Sequence, residues 1–189
     1  ILVALGLLNA SYALIFVNHH EKQPERAIAA HAEIVECVGA SGMVGGQSVD
    51  LALAAQNSPV GSTNSFEKDF ESVESTRNLK TSALMRLALR VGAILAGADY
   101  QQLRALSRYA ELLGEAYQLG DDLLDLQEDD ALFEHRQKTF ALNHGRDAAQ
   151  MRLQSLTDEA KRLLIENFPS TDARSSLIQL TDYLADRKA

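Results

Sequence analysis

The hydrophobic positions along this chain recur mostly at the three- and four-residue spacing of an α-helix. The longest regular run steps by 3 and 4 from Leu103 to Leu124, and a second run follows further along the chain. This spacing puts the apolar side chains on one face of each helix. The pattern therefore predicts helices at about 100–128 and 146–167.

The opening segment, residues 1–17, is apolar almost all round and has no basic region before it. It therefore does not resemble a signal peptide. It is also shorter than the roughly 20 apolar residues that cross a bilayer. We expect a core helix of a bundle here, and no membrane span. Because the chain starts inside this helix without a cap, we expect it to be the C-terminal portion of a longer one.

A second helical pattern begins at Pro24, a residue that suits the first turn of a helix, and extends to about Gln56. Three glycines interrupt it, Gly42, Gly45 and Gly46, and each costs about 1 kcal/mol relative to Ala in a helix interior. We expect a bend or a close packing contact there.

The other segments have weaker patterns. Asp99 is a plausible cap for the helix at 100–128, and Ser170 or Thr171 can cap a last helix. The remaining predictions are a loop at 57–65, a short acidic helix at 66–76, a helix at 80–98, a loop with a helical turn at 129–144, and a last helix from about Thr171 to Arg187.

Composition favours helices over strands. The chain has 27 Ala and 29 Leu among 189 residues, against 9 Val and 7 Ile. Ala and Leu are strong helix formers, whereas β-branched residues favour strands. Since no repeat or interdomain linker is visible, we predict an all-α fold: an antiparallel helical bundle forming one domain over residues 1–189.

Charge and cysteine content narrow the possible partners. With 18 Lys and Arg against 26 Asp and Glu, the formal net charge is 18 − 26 = −8. This balance argues against nucleic acid as a partner, because binding it requires a basic patch. One cysteine, Cys37, excludes a disulfide within the chain and a cysteine-rich zinc site. Its apolar neighbours predict a buried structural thiol.

Polar residues that could do chemistry lie beside the packing face of the 100–128 helix. Gln118, Asp121, Asp122 and Asp125 form a stripe there. Clustered carboxylates raise one another's pKa unless a cation lies among them. Oxygen ligands without soft atoms select Mg²⁺, which substrate phosphates commonly complete. A solvated acidic face is the simpler alternative.

Two further pairs of polar residues favour the metal site over the solvated acidic face. Gln47 and Asp50 are three residues apart on one helix, and Lys80 and Thr81 open another. Alone, they could be a polar contact, a solvated charge and a cap. Together with the aspartates they supply carboxylates for a metal, a lysine for a diphosphate, and an apolar interior for a hydrocarbon tail.

The motifs in this order resemble the trans-isoprenyl diphosphate synthases, which include the farnesyl and geranylgeranyl diphosphate synthases. The resemblance covers nearly the whole chain and implies a bundle of the isoprenoid synthase type. Four segments carry it: GGQSVDL (45–51), KTSAL (80–84), GAILAGA (92–98) and LGEAYQLGDDLLD (113–125).

The resemblance assigns roles to the strongest candidates. Asp121, Asp122 and Asp125 match the second aspartate-rich motif, where Asp121 chiefly reaches Mg²⁺ bound to the allylic diphosphate. Lys80 matches the lysine that contacts this diphosphate, and Thr81 its neighbour near the reacting carbon.

Further positions match less central parts of the family pattern. Gln47 and Asp50 occupy the GQxxDL positions, with Gln47 facing the forming carbocation, and Gln118 matches the glutamine before the aspartates. Lys138, in the shortened segment RQKTFA, matches a later lysine. Gln118, Asp50 and Lys138 are thereby implied in substrate binding.

The chain also departs from the family pattern. The first aspartate-rich motif would lie upstream of Ile1, so the sequence holds half of the metal site. DDALFE (129–134) lies too close to the second motif to replace it, and Arg77 stands where the family often has His.

The implied activity is a Mg²⁺-dependent condensation of an allylic diphosphate with isopentenyl diphosphate to a longer trans-polyprenyl diphosphate. We expect a cytoplasmic homodimer, and no activity from these 189 residues alone. The alternatives are another class I terpenoid synthase, a non-catalytic regulatory subunit of a heteromeric prenyltransferase, and an unrelated helical scaffold.

Overall fold

The computed structural model describes residues 2–17, 23–56, 70–128 and 139–186. All the regular structure within these ranges is helical, which confirms the predicted all-α fold. The helices are α1 (Leu2–Val17), α2 (Pro24–Val38), α3 (Met43–Gln56), α4 (Phe70–Ala96), α5 (Tyr100–Glu128), α6 (Phe140–His144), α7 (Arg146–Asn167) and α8 (Asp172–Ala185).

The glycine-rich stretch breaks the helical pattern that begins at Pro24 into two helices, α2 and α3. A Cβ atom at Gly42 would overlap the carbonyl of Cys37, and one at Gly45 would overlap the carbonyl of Ala40. The absence of side chains at these glycines therefore permits the tight turn, as the predicted bend requires.

The separate helices predicted at 66–76 and 80–98 are wrong, because α4 runs without a break from Phe70 to Ala96. No Gly or Pro stands between Phe70 and Val91, so the polar stretch before Lys80 contains no residue that breaks a helix. The predicted loop at 57–65 lies outside the described residues.

Capping residues define the ends of the later helices. The Asp99 side chain accepts a hydrogen bond from the Gln102 amide at 2.8 Å, and the Gln102 side chain accepts one from the Asp99 amide at 3.0 Å. This reciprocal pair satisfies two amides at the start of α5. Thr171 caps α8 by accepting from the Arg174 amide at 3.2 Å. The last helix ends at Ala185, two residues before the predicted Arg187.

Helix α5 lies at the centre of the bundle, where it contacts α4, α6, α7 and α8. Its inner face carries the buried Tyr109, Leu112 and Leu113, which pack with α7 side chains such as Leu156. The Tyr109 hydroxyl is hydrogen-bonded to the Thr181 hydroxyl at 2.9 Å, which joins α8 to this core. The predicted packing faces are buried in large part, on α7 at Ala149, Leu153, Leu156 and Ala160 and on α5 at Leu106, Ala110 and Leu113. The buried Tyr109 and Leu112 make the buried face of α5 wider than predicted.

Helix α1 lies at the edge of the described part and contacts α2 alone. One face of it joins a hydrophobic cluster, with Ile15 buried and Leu8, Tyr12 and Phe16 packed against that cluster. Leu2, Leu7 and Leu14, in contrast, are largely exposed. Within the described residues α1 therefore contributes one face to the core, whereas a core helix was expected to be enclosed by it. One neighbouring helix covers one face of a helix that is apolar all round, and it leaves the other faces open.

One stretch, Pro24–Val49, has the length and hydropathy of a membrane span. The helical structure is interrupted at Gly39–Gly42 within it, and its buried Ala27, Ala30 and Ile34 belong to a hydrophobic cluster that includes Ile94 of α4. A core helix of a globular bundle has the same composition, so this stretch is weak support for a span.

Cys37 is fully buried, as predicted. Burial raises the pKa of its thiol, which keeps the group neutral at pH 7.

The close contact between α4 and α5 depends on Gly114. A Cβ atom there would overlap the Ser82 hydroxyl and lie 3.1 Å from the Ser82 Cα atom. We expect Gly114→Ala to lower the free energy of unfolding by roughly 1–3 kcal/mol, since the two backbones must separate. Urea denaturation measures this change.

Gly92→Ala on α4 is the matched control, because no atom lies within 4 Å of the position that its Cβ atom would take. It should raise the stability by up to about 1 kcal/mol through helix propensity. Equal effects of the two substitutions would contradict the packing account.

Candidate active site

Three helices converge on the candidate site, and α3 approaches α4 through a glycine. A Cβ atom at Gly46 would lie 2.9 Å from the Lys80 Cβ atom and 3.2 Å from the Lys80 amide nitrogen. The glycine therefore lets the two backbones approach closely. Since Gln47 follows Gly46 directly, this approach also brings Gln47 beside Lys80.

Two hydrogen bonds join four of the predicted site residues. The Lys80 Nζ atom donates to Gln47 Oε1 at 3.1 Å, which links α4 to α3. The Gln118 Nε2 atom donates to Thr81 Oγ1 at 2.7 Å, which links α5 to α4. The structure therefore brings together residues that are 33 and 37 positions apart in the sequence.

An open cavity of about 600 Å³ lies beside these groups. Its volume falls within the usual range of ligand pockets, and its lining is mainly apolar. The lining residues are Met43, Val44, Gln47, Ser48, Leu51, Lys80, Thr81, Leu84, Met85 and Tyr117.

Helix direction orders the residues along this cavity. Contacts of Arg26 with Leu95 and of Gly46 with Lys80 show that the α2–α3 segment runs antiparallel to α4. Residues before Gly46 and residues after Lys80 therefore lie in the same direction. The side chains of Met43 and Met85 consequently line the part of the cavity farther from the start of α4.

Asp121 and Asp122, the two aspartates of the DDLLD segment whose side chains are described, lie one turn beyond Gln118 on α5. Asp122 is buried, at 8% exposure, and Asp121 is half-buried. Because α5 runs antiparallel to α4, both lie past Thr81 toward the start of α4, about 5 Å along the axis. Neither belongs to the cavity lining, so the structure joins Gln47, Lys80 and Thr81 around one cavity without placing Asp121 on its wall.

The rest of the expected metal and substrate residues remain predictions. Lys138 and the segment 129–134 lie outside the described residues. For Asp50, Arg77 and Asp125 the helix is described and the side chain is not. Among the side chains that are described, no group of three His, Cys, Asp or Glu could hold a metal ion.

Sequence reasoning missed the apolar half of the lining. Leu84 and Met85 follow Thr81 at three and four residues, which is one helical face. That spacing could have identified them once Thr81 was a candidate. Met43 and Tyr117 had no such signal: one stands at the start of α3, and the other belongs to the packing face of α5.

Comparisons with known proteins identify what the chain is similar to. The family model for polyprenyl synthetase matches residues 1–155. Farnesyl diphosphate synthase of Escherichia coli K12 is 31% identical over 169 residues, covering 85% of this chain and 53% of that protein. Dimethylallyltranstransferase of Fischerella ambigua is 31% identical over 196 residues, covering 99% and 53%.

The fold is also similar to that of a solved structure. The chain superposes on the crystal structure of an FPP/GFPP synthase from Zymomonas mobilis with a TM-score of 0.74 and 26% identity. That match covers 93% of this chain and 57% of the other. The chain spans about half the length of the curated proteins described above.

The bond between Gln118 and Thr81 should contribute measurably to stability. We expect Thr81→Val to lower the free energy of unfolding by about 1 kcal/mol, since it removes the acceptor for a half-buried amide. Ser48→Ala is the control, because the exposed Ser48 hydroxyl bonds only the Val44 carbonyl of its own helix, at 2.8 Å. Urea denaturation of both variants with equal midpoints would contradict the contact.

Proposed function

The chain belongs to the polyprenyl synthetase family, and from this membership we propose that it forms part of a trans-prenyltransferase. The enzyme condenses an allylic diphosphate with isopentenyl diphosphate and yields a longer trans-polyprenyl diphosphate. The observation that carries the proposal is the lysine–glutamine pair, Lys80 and Gln47, at the wall of a mainly apolar cavity. This pairing offers a cation to the diphosphate and an apolar surface to the hydrocarbon tail.

In this proposal the Lys80 ammonium binds the allylic diphosphate and stabilises the negative charge that develops as it leaves. The allylic C–O bond breaks and the diphosphate keeps the electron pair. The double bond of isopentenyl diphosphate then attacks the allylic cation, and the departing diphosphate takes up the released proton. The oxygen atoms of Gln47 and Thr81 stand near the cation, while the apolar lining excludes water.

The second aspartate-rich motif supplies the donors that Mg²⁺ prefers. Asp121 and Asp122 offer only oxygen atoms, and they follow Gln118 by one turn of α5. We assign these two, together with Asp125, as the residues that would hold Mg²⁺ with the diphosphate, Asp121 being the principal contact. When bound, the ion supplies positive charge that stabilises the leaving diphosphate. Asp50 and Lys138 complete the proposed substrate contacts.

We further propose a homodimer in the cytoplasm. The candidate dimer surface is the outer face of α1 and α2. Ile28 and Val35 lie two turns apart on α2 and are at least half exposed, and Leu7 and Leu14 are exposed on α1, the helix that contacts α2. Large exposed apolar side chains are typical of subunit interfaces.

In the proposed reaction, condensation depends on the aspartates of the DDLLD segment. In the complete protein, Asp121→Ala should lower kcat by about a hundredfold or more, comparable to losing one transition-state charge stabiliser. Turnover of an allylic diphosphate with isopentenyl diphosphate and Mg²⁺ measures this. Residues 1–189 alone should be inactive, since their sequence holds a single DDxxD motif.

Glu111→Ala is the control for that experiment, because Glu111 is an exposed carboxylate on the same helix and pairs with Arg108. Its turnover should equal that of the wild type. Undiminished turnover in Asp121→Ala would refute the metal-binding role assigned to Asp121.

The dimer surface predicts a change of oligomeric state. Val35→Glu in the complete protein should shift the protein toward monomer, because it buries an unpaired charge in the interface. Sedimentation velocity measures the shift, and Met151→Glu, at an exposed position of α7, is the control. A wild-type monomer, or a Val35→Glu protein as dimeric as the control, would refute the assignment.

A further inference from the structure

A cluster of charged side chains lies between α2, α4 and α5, outside the candidate site. At its centre is Glu33, which is only 6% exposed. Its Oε1 atom lies 3.1 Å from the Nε atom of Arg86 and 2.9 Å from the Nε atom of Arg90. One buried carboxylate of α2 therefore holds two guanidinium groups of α4.

The cluster extends in two directions from Glu33. Toward α2, Arg86 pairs with Glu36 at 2.7 Å. Toward α5, Arg90 Nη1 donates to the Leu103 carbonyl at 3.0 Å and to the Ser107 hydroxyl at 2.8 Å. The cluster thus connects all three helices. Directional hydrogen bonds join Arg86 to Glu36 and Arg90 to α5. Arg90 Nε, in contrast, meets Glu33 as an ion pair at close distance without hydrogen-bond geometry.

The Cys37 thiol belongs to the same cluster. Its sulfur accepts a hydrogen bond from Arg86 Nε at 3.3 Å and lies 3.4 Å from Glu33 Oε1. Cys37 lies within five residues of the glycine turn that leads into α3. The cluster therefore holds α2 against α4 immediately before the chain turns toward Gln47.

Close to the site, α3 and α5 touch α4 through glycines. Gly46 faces Lys80, and Gly114 faces Ser82. A glycine lets two helices approach, but it offers no side chain that interlocks with the partner, so these contacts do not by themselves fix rotation or sliding. Buried polar groups, in contrast, have their best-attested role in fixing register.

The cluster is too far from the site to act on a ligand directly. Arg86 and Arg90 lie six and ten residues beyond Lys80 on one helix, or about 9 and 15 Å along its axis. An influence on Lys80 must therefore pass through the position of α4.

We propose that Glu33, through Arg86 and Arg90, is a positioning residue for the site. It fixes the register of α4 against α2 and α5, and so keeps Lys80 at Gln47 and Thr81 at Gln118. The inference depends on the proposed function only in treating Lys80 as the diphosphate-binding group.

The test replaces Glu33 by Gln in the complete protein, which removes the charge and keeps the shape. Two quantities are measured: the NMR signals of the Gln47 and Gln118 side-chain amides, and the affinity for inorganic diphosphate with Mg²⁺ by calorimetry. We expect both amide signals to shift and the affinity to fall between roughly twofold and thirtyfold.

Glu115→Gln is the matched control, because it removes the same charge from another pair between helices. Glu115 of α5 accepts from Arg152 of α7 at 2.9 Å, and no residue of α4 takes part in this bond. Its site amides and its diphosphate affinity should equal those of the wild type, even where its melting temperature falls as far as that of Glu33→Gln.

A milder variant, Ser107→Ala, removes only one contact of Arg90. It tests the positioning role if Glu33→Gln fails to fold. It should shift the Gln118 amide more than the Gln47 amide, since it loosens α5 alone. If Glu33→Gln folds and the Gln47 and Gln118 amide signals do not move, the proposal is overturned. If Glu33→Gln does not fold, unchanged amide signals in Ser107→Ala overturn it. Amide shifts in Glu115→Gln as large as those in Glu33→Gln also overturn it. A wild type that binds no diphosphate while the amides still shift would refute the proposed function and leave the positioning role supported.

Discussion

The close approach of α4 to its two neighbours is the constraint on which the candidate site depends. Gly46 and Gly114 remove the side chains that would hold α3 and α5 away from α4. Lys80 can then reach Gln47, and Gln118 can reach Thr81. A methyl group at either glycine would separate backbones that carry these groups. The site therefore depends on the close spacing of α3, α4 and α5 as much as on its polar residues.

This arrangement also explains how one cavity can receive a molecule with two opposite ends. Lys80 provides a cation beside the cavity, and Asp121 and Asp122 lie beyond it toward the start of α4. The lining on the other side, with Met43 and Met85, is apolar. A diphosphate gains from charged groups, whereas a hydrocarbon tail gains from leaving water. The order of the groups along the helices thus fits the substrates proposed for the family.

Sequence periodicity predicted the parts of the fold that packing on both sides enforces, such as α5 and α7. It failed for α4, where a polar stretch resembles a loop although nothing in it breaks a helix, and for α1, because a pattern does not reveal how many neighbours cover a helix. Gln118 was a candidate from its place on the polar stripe of α5 and Lys80 from its place in the sequence pattern, and the motif resemblance then assigned their roles. Periodicity alone would not have paired them with Gln47 and Thr81, since their contacts join distant helices.

The central claim is that Lys80 holds a diphosphate whose tail lies in the cavity between α3 and α4. The most direct measurement is a crystal structure of the complete protein with Mg²⁺ and an unreactive thio-analogue of an allylic diphosphate. The account predicts phosphate oxygens within hydrogen-bond distance of Lys80 Nζ and the hydrocarbon chain against Met43 and Met85. A diphosphate bound away from Lys80, or a tail outside this cavity, would contradict it.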